Sequence, residues 1–386
     1  MSGGAISNDQ NADVVRQHLT GIKNAYYYNP GNVMAAVHPA NGTVSPRPFK
    51  GNQPICIVAG NGNRPLAEAV ALLLGVPTHQ TIVAQRASGE VNVRICESVL
   101  GADVYIIQST SGNALVDVNT ALMELLLLVR KMRLSNARRV TAIITFLAYS
   151  KRDQKRRIRS TISSSAVAQM LTTVGVDRIT TLDLHTGQIQ GFFGNTPLDN
   201  LEVHQEFAKY LHSQSWFDRN NMTIVALSAG SIERARLLAD TLNVDRIATV
   251  LLRRATTSAL SLQCVGEVKG CICVIVEDIC DTVEVLVKGS ELLKQLGAAK
   301  VAACCTHGIL SPSCYQLLNE CDALSELVVT DSIPQEEHQK LVPKLRVLTV
   351  APLIATVILK HTQDESFAPL LEQKEFEGTK CSAVSA

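Results

Sequence analysis

The chain has almost no net charge: 36 lysines and arginines stand against 35 aspartates and glutamates, a formal balance of +1. It therefore lacks the field of one sign that would draw the whole molecule to nucleic acid or a membrane, and any electrostatic function has to be local. No apolar run reaches the roughly 18 residues that span a bilayer, and the first residues lack the basic segment followed by an apolar one that marks a secretory leader. The eleven cysteines show no paired C-x-x-C spacing, which argues against a zinc ribbon or a secreted disulfide framework. Most lie in apolar stretches such as Cys271-Ile-Cys273-Val and Ala302-Ala-Cys304 and read as reduced core thiols. The C-terminal Ser-Ala-Val-Ser-Ala is not a peroxisomal signal. The expected location is cytoplasmic. Two nucleotide motifs are also missing. No G-x-x-x-x-G-K-[ST] occurs, and Gly60-Asn-Gly62-Asn-Arg-Pro65 puts a proline where the third glycine of a dinucleotide fingerprint must let helix and strand approach.

At 386 residues and 46% hydrophobic, the chain can form two ordinary domains, each expected to bury its own core. Residues 1–52 are rich in Asn, Gly, Pro and Ser, include Tyr26-Tyr-Tyr28-Asn-Pro-Gly, and read as a partly flexible extension. From Pro54 onward short apolar β-branched runs alternate with helical periods, the signal of an α/β fold whose parallel sheets are covered by helices. Strands are expected at 55–59, 104–108, 140–146, 179–184, 223–226, 247–251, 273–276, 301–305, 327–329 and 347–350. Helices are expected at 66–74, 119–132, 162–174, 232–242 and 283–296, with Leu122, Leu125, Leu126 and Val129 facing the core. This rhythm divides into two Rossmann-like halves, 53–200 and 201–372, followed by a tail at 373–386. The last helix of the second half can pack back on the first.

One segment carries chemistry by its pattern. Val274-Ile-Val-Glu277-Asp278-Ile-Cys-Asp281-Thr282 is an apolar strand running into acids and a hydroxyl before a helix. In an open α/β sheet, ligands bind where strand ends open onto helix N-termini, and paired acids there suit ribose hydroxyls or magnesium. A solvated loop with a helix cap fits the same residues.

The segment resembles the phosphoribosyl-diphosphate loop of type I phosphoribosyltransferases. A second block, Thr181-Leu-Asp183-Leu-His185-Thr-Gly-Gln-Ile-Gln190-Gly-Phe-Phe193 followed by Pro197-Leu-Asp199-Asn-Leu201, resembles the signature of the ribose-phosphate diphosphokinase (PRPP synthetase) family. Met123-Glu-Leu-Leu, Arg139-Val-Thr-Ala-Ile-Ile, Ala239-Asp-x-Leu-Asn243-Val and Asp331-Ser-Ile-Pro-Gln-Glu336 fit the same family, and the match runs from about Ile55 to Phe367. The resemblance implies dimers building hexamers or filaments. It also implies transfer of the diphosphoryl group of magnesium-ATP to the 1-hydroxyl of ribose 5-phosphate, with AMP released, at a site between the halves.

Residue by residue, the resemblance gives Asp183 and His185 to metal or phosphate, and Glu90, Lys151 and Arg152 with His185 to ATP. Arg253 falls in the catalytic flexible loop, and Glu277, Asp278, Asp281 and Thr282 in the ribose-phosphate loop. Gln190 and Asp199 fall near a regulatory phosphate site where Leu100 replaces an arginine and Gly187 a serine, so feedback should be weak.

Five departures point the other way. Arg86-Ala87 stands where an aromatic would stack on adenine, a contact of about 1 to 3 kcal/mol. Lys151 replaces an arginine that could fork onto phosphate. Ser228 replaces a metal-binding aspartate. Leu251 replaces a lysine that would stabilise the transferred group. Glu284 and Val285 replace the Gly-Thr of the phosphate loop, and Glu284 brings a carboxylate to the helix N-terminus. The expectation is a divergent, catalytically impaired member acting as a regulatory or structural partner of an active PRPP synthetase paralogue, with weakened magnesium binding and ATP, ADP or ribose 5-phosphate as ligands.

A working enzyme that recruits Arg254 and Glu277 is the alternative. The basic run Lys151 to Arg159, which no aromatic interleaves, leaves nucleic-acid binding as a weaker third reading.

Overall fold

The computed structural model describes residues 54–155, 158–254 and 260–362, with the side chains of 252–254 and 260–261 excepted. The 1–52 extension and the tail at 373–386 lie outside the described residues. Strands Ile55–Ala59 (β1), Asp103–Ser109 (β4), Arg139–Phe146 (β5), Arg178–Leu182 (β6) and Leu198–Leu201 (β7) form a five-stranded parallel sheet in the order β1-β4-β5-β6-β7. Thr81–Gln85 (β2) and Val91–Ile95 (β3) make a separate antiparallel hairpin. Helices Arg64–Leu74 (α1), Val118–Leu134 (α2) and Ser163–Thr173 (α3) serve this sheet, and His204–His212 (α4) leads out of it. All seven residues of β4 are buried, as a strand covered on both faces requires.

The second sheet has seven strands in the order β10-β9-β8-β11-β12-β13-β14. They are Met222–Ala226 (β8), Ile247–Arg254 (β9), Leu260–Val265 (β10), Ile272–Cys280 (β11), Lys300–Gly308 (β12), Glu326–Thr330 (β13) and Leu345–Leu348 (β14). Only β10 runs antiparallel to its neighbour. The helices are Ile232–Leu242 (α5), Glu284–Gln295 (α6), Cys314–Glu320 (α7), Glu336–Leu341 (α8) and Ala351–Thr362 (α9). The α/β class and the parallel sheets agree with the sequence.

Local signals explain several boundaries. Asp117 accepts from the amides of Asn119 and Thr120 at 2.8 and 3.1 Å and starts α2, while Gly75 at φ 69° ends α1. β6 stops at Leu182 rather than running to 184 because Asp183 turns to φ 35°. β11 continues past Val276 to Cys280, so Glu277 and Asp278 sit on a paired strand and not in a loop. Val283 at φ 52° delays α6 to Glu284. Among the described residues the cysteines are free thiols, most of them buried, with Cys96 exposed, and no helix is long and apolar enough to cross a membrane.

The halves do not bury their cores separately. One apolar cluster takes Ile57, Ile107 and Ile143 from the first sheet and Ile224, Val274 and Val328 from the second. Between them lie Leu66 and Leu74 of α1, Phe207 of α4, Leu238 of α5, and Ile354 and Ile358 of α9. Helix α9, the last described helix, packs on α1, the first. Each sheet also has an outer core on its other face, one under α2 and α3, the other under α6 and α7.

The Gly60–Gly62 turn after β1 is filled by protein. Gln108 Oε1 accepts from the Gly62 amide at 2.8 Å, Asn61 Nδ2 donates to buried Glu124 at 2.8 Å, and a Cβ on Gly62 would lie 2.0 Å from the Ser109 carbonyl oxygen. This leaves no dinucleotide crevice at that turn.

A shared core predicts a single unfolding transition. Ile354→Ala should lower stability by about 2 to 5 kcal/mol and shift the Trp216 fluorescence and far-UV circular dichroism transitions together. Trp216 packs against the shared cluster. Separate transitions for the two signals would contradict a common core.

Candidate active site

The connection from β8 through α5 to β9 runs one way across the second sheet, and that from β11 through α6 to β12 runs the other. The strand order therefore reverses between β8 and β11, and the crevice beyond their carboxyl ends is where an open α/β sheet takes a ligand. Glu277 reaches across that crevice. Its Oε1 accepts from Ser231 Oγ at 2.9 Å and from the Leu227 amide at 3.2 Å. Burial, reinforced by the charge of Asp278, pushes its carboxyl up to about 7. Ser228 closes on Ser231 in a reciprocal cap: Ser228 Oγ accepts from the Ser231 amide at 3.2 Å, and Ser231 Oγ from the Ser228 amide at 3.1 Å. The exposed Ser228 brings no charge to the crevice.

Asp278, only 4% exposed, meets the first half. His185 Nδ1 lies 2.7 Å from its Oδ2 and Arg234 Nη2 lies 3.7 Å from the same oxygen. Burial alone would raise this carboxyl, but the His185 hydrogen bond and the Arg234 charge outweigh it and hold it below the usual range. An ionised carboxylate only accepts, so the His185 ring carries its proton on Nδ1. Asp183 is half-buried next to this pair. Thr306 Oγ1 donates to its Oδ2, and burial raises its carboxyl.

The loop after β11 is tied inward: Ser311 Oγ donates to Asp281 Oδ1. Thr282, Glu284 and Val285 are exposed while Val283 is buried. A β-branched residue at φ 52° is an outlier, held there by its packing in the outer core of the second sheet. Helix α6 has no side-chain cap, and Glu284 occupies its first position, where the helix dipole favours a carboxylate.

Leu251, 37% exposed, stands on β9 opposite Gln263 of β10. The backbone of Arg253 pairs with Ser261 in the same hairpin; the side chains of Arg253 and Arg254 lie outside the described residues.

The ATP residues expected from the sequence lie around the first sheet. Lys151 and Arg152 are exposed on the turn after β5. Buried Asp153 accepts from Thr186 Oγ1 at 2.7 Å and Gln188 Nε2 at 3.2 Å, which ties that turn to the segment following His185. Glu90 closes the β2–β3 turn and accepts from Ser88 Oγ at 3.1 Å. With Arg86, Met123 and Leu127 it lines an open cleft of about 630 Å3 between the turn and α2.

Gln190 is exposed on the short helical turn Gly187–Phe193. Asp199 lies opposite Thr180 in β7, toward the start of β6, whereas Asp183 and His185 follow its far end. Arg178 Nη1 at 2.8 Å and His361 Nε2 at 3.5 Å face its carboxylate. Burial opposes ionisation there, and His361 and Arg178 overcome it.

Two contributors were missed in the sequence, Arg234 and His307. The His307 ring is fully enclosed, with Nε2 at 3.1 Å from the Leu182 carbonyl oxygen and Nδ1 at 2.9 Å from Ser332 Oγ. A histidine following Thr306 at the end of β12 was the one available signal.

The residues present do not make a ready cage for magnesium. Among the described residues no three His, Cys, Asp or Glu side chains gather as a metal site. The Asp183 carboxyl is closed by Thr306, and that of Asp278 by His185 and Arg234.

Comparison with known proteins gives matches over about four fifths of the chain. Residues 55–175 match the N-terminal domain of ribose phosphate pyrophosphokinase, and residues 248–372 the phosphoribosyl synthetase-associated domain. A ribose-phosphate pyrophosphokinase of Clostridium perfringens is 37% identical over 82% of this chain and 98% of its own length. Ribose-phosphate pyrophosphokinase A of Dictyostelium discoideum is 36% identical over 82% of this chain and 97% of its own. The crystal structure of phosphoribosylpyrophosphate synthetase from Mycobacterium smegmatis aligns at TM-score 0.74 and 34% identity, over 81% of this chain and all of that one.

Burial lowers the His307 pKa from 6.5 to about 4, so the unfolded chain takes up a proton there before the folded one does. The stability this neutral ring contributes is full above pH 6.5 and lost as pH falls toward 4. The difference in unfolding free energy between the natural protein and His307→Gln should therefore shrink by roughly 3 kcal/mol between pH 7 and pH 4. A difference independent of pH would contradict a neutral buried imidazole.

Proposed function

This chain belongs to the ribose-phosphate pyrophosphokinase family, and from that premise we propose that it is a subunit with strongly reduced diphosphoryl transfer that partners an active paralogue in making 5-phosphoribosyl 1-diphosphate. The observation that carries this reading is the state of the crevice between β8 and β11. Ser228 is closed on Ser231, Glu277 is turned inward onto the Leu227 amide and the Ser231 hydroxyl, and Leu251 offers neither charge nor donor on β9. A preorganised donor missing from a transition state costs about 2.7 to 4 kcal/mol, or 10² to 10³ in rate.

In this reading Lys151 and Arg152 meet the ATP phosphates, Glu90 the purine side, and the loop from Glu277 through Asp281 and Thr282 to Glu284 and Val285 the ribose 5-phosphate. The nucleotide substrate is taken as magnesium-ATP; the metal would supply neutralising charge at the phosphates, and Asp183 and His185 are the residues of this chain that would meet it, with weakened binding. Gln190 and Asp199 belong to a regulatory surface with weakened phosphate affinity. Assembly is dimer-based and able to build a hexamer, so a mixed assembly lets this chain alter its partner's site. The expected compartment is the cytoplasm.

A second reading, an ordinary ribose-phosphate pyrophosphokinase in its own right, is favoured by a different observation. Identity of 36–38% extends over at least 96% of relatives that bear that enzyme name, and the His185–Asp278 pair is intact.

The two readings separate on AMP release from magnesium-ATP and ribose 5-phosphate. The purified chain should turn over about 10²-fold or more below the ~10 per second typical of enzymes and should change the rate of an active paralogue when co-assembled. An ordinary rate from the chain alone establishes the second reading instead.

A further inference from the structure

Arg234 has no role in any motif of the sequence, yet it sits where the two halves meet. It occupies the first turn of α5, an unfavourable place for a cation because the helix dipole is positive there. Its neighbour Arg236 is explained by a surface pair with Glu233 at 2.8 Å. Arg234 points the other way, with its side chain only 20% exposed. Nη2 donates to two consecutive carbonyl oxygens of the first half, Leu184 at 2.7 Å and His185 at 3.1 Å. The same nitrogen lies 3.7 Å from Asp278 Oδ2, the oxygen that faces His185 Nδ1 at 2.7 Å. One guanidinium nitrogen thereby gathers two carbonyls and a carboxylate at the junction of the halves, and its charge is not lost on burial as that of an ammonium can be.

We propose that Arg234 is the positioning residue of this site: by holding the Leu184 and His185 carbonyls beside Asp278 it fixes the Asp183–His185 loop against β11, so that His185 turns Nδ1 to Asp278 and presents Nε2 as an acceptor. His185 then serves a cation or a proton, and donates to phosphate only when doubly protonated. Any effect on ATP affinity rests on the family function proposed above; the state of the His185 ring does not.

The test uses the full chain with 15N-labelled histidine. At pH 8 long-range proton–nitrogen correlation reads the tautomer of His185. The natural protein should show the Nδ1–H form, and Arg234→Gln should raise the Nε2–H form at least several-fold. Arg234→Lys, which keeps the charge but has a shorter reach to the two carbonyls, should retain the tautomer and speed amide exchange of Leu184, whose N–H donates to Asn200 Oδ1 at 2.9 Å. A folded Arg234→Gln protein with an unaltered His185 overturns the proposal. If Arg234→Gln fails to fold, unchanged Leu184 exchange in Arg234→Lys overturns it. Neither readout depends on turnover, so a catalytically silent chain leaves the inference standing. An active chain whose His185 ignores the substitution removes the inference and leaves the family function intact.

Discussion

The polar seam between the end of the first sheet and the ends of β11, β12 and β13 is the constraint on which the site depends. Thr306 bonds Asp183, His307 reaches the Leu182 carbonyl, Thr145 donates to the Ser332 carbonyl at 2.7 Å, and Asn63 donates to the Asp331 carbonyl at 2.7 Å. Each of these groups is buried or nearly so, and a buried polar group left without its partner costs about 1 to 3 kcal/mol. The halves therefore have little freedom to slide. The shared apolar cluster between the sheets draws them together without direction, and the seam gives that attraction a register. His185, from one half, thereby faces Asp278, from the other, at 2.7 Å.

The carboxyls crowded there do not share one state. Asp278 is held ionised by His185 and Arg234, while burial moves Glu277 to about 7 and lifts Asp183. Such divergence within a few residues is what a preorganised site produces. A neutral serine cap stands at the β8 turn, an aliphatic side chain on β9, and an acid at the start of α6. The interior beneath these positions is closely packed, with Val225, Leu227, Val250, Leu286 and Val287 in the outer core of the second sheet.

Much of the fold was legible because its long elements are strongly periodic. β1 and α5 fall at the expected residues, and the reversal of strand order locates the crevice. The hairpin β2–β3 was missed because its alternation is short and half exposed, and β7 because four residues carry too little pattern. The shared core could not be read, since an apolar face does not say which sheet it will meet. Among the site residues, His185 and Asp278 were found through their motifs. Arg234 escaped because its meaning lies in two carbonyls and a carboxylate more than forty residues away in sequence. Asp199 was recognised by resemblance, but its engagement by Arg178 and His361 is a tertiary fact.

If the crevice is silent because of what stands at Ser228 and Leu251, restoring those two groups should restore chemistry. Ser228→Asp keeps a residue suited to capping the turn, and Leu251→Lys places a cation on an exposed strand position. The direct measurement is the rate of AMP release from magnesium-ATP and ribose 5-phosphate by the doubly substituted chain against the natural one. A rise of about 10²-fold or more is the predicted result. An unchanged rate in a protein that is folded and still binds ATP would contradict the account.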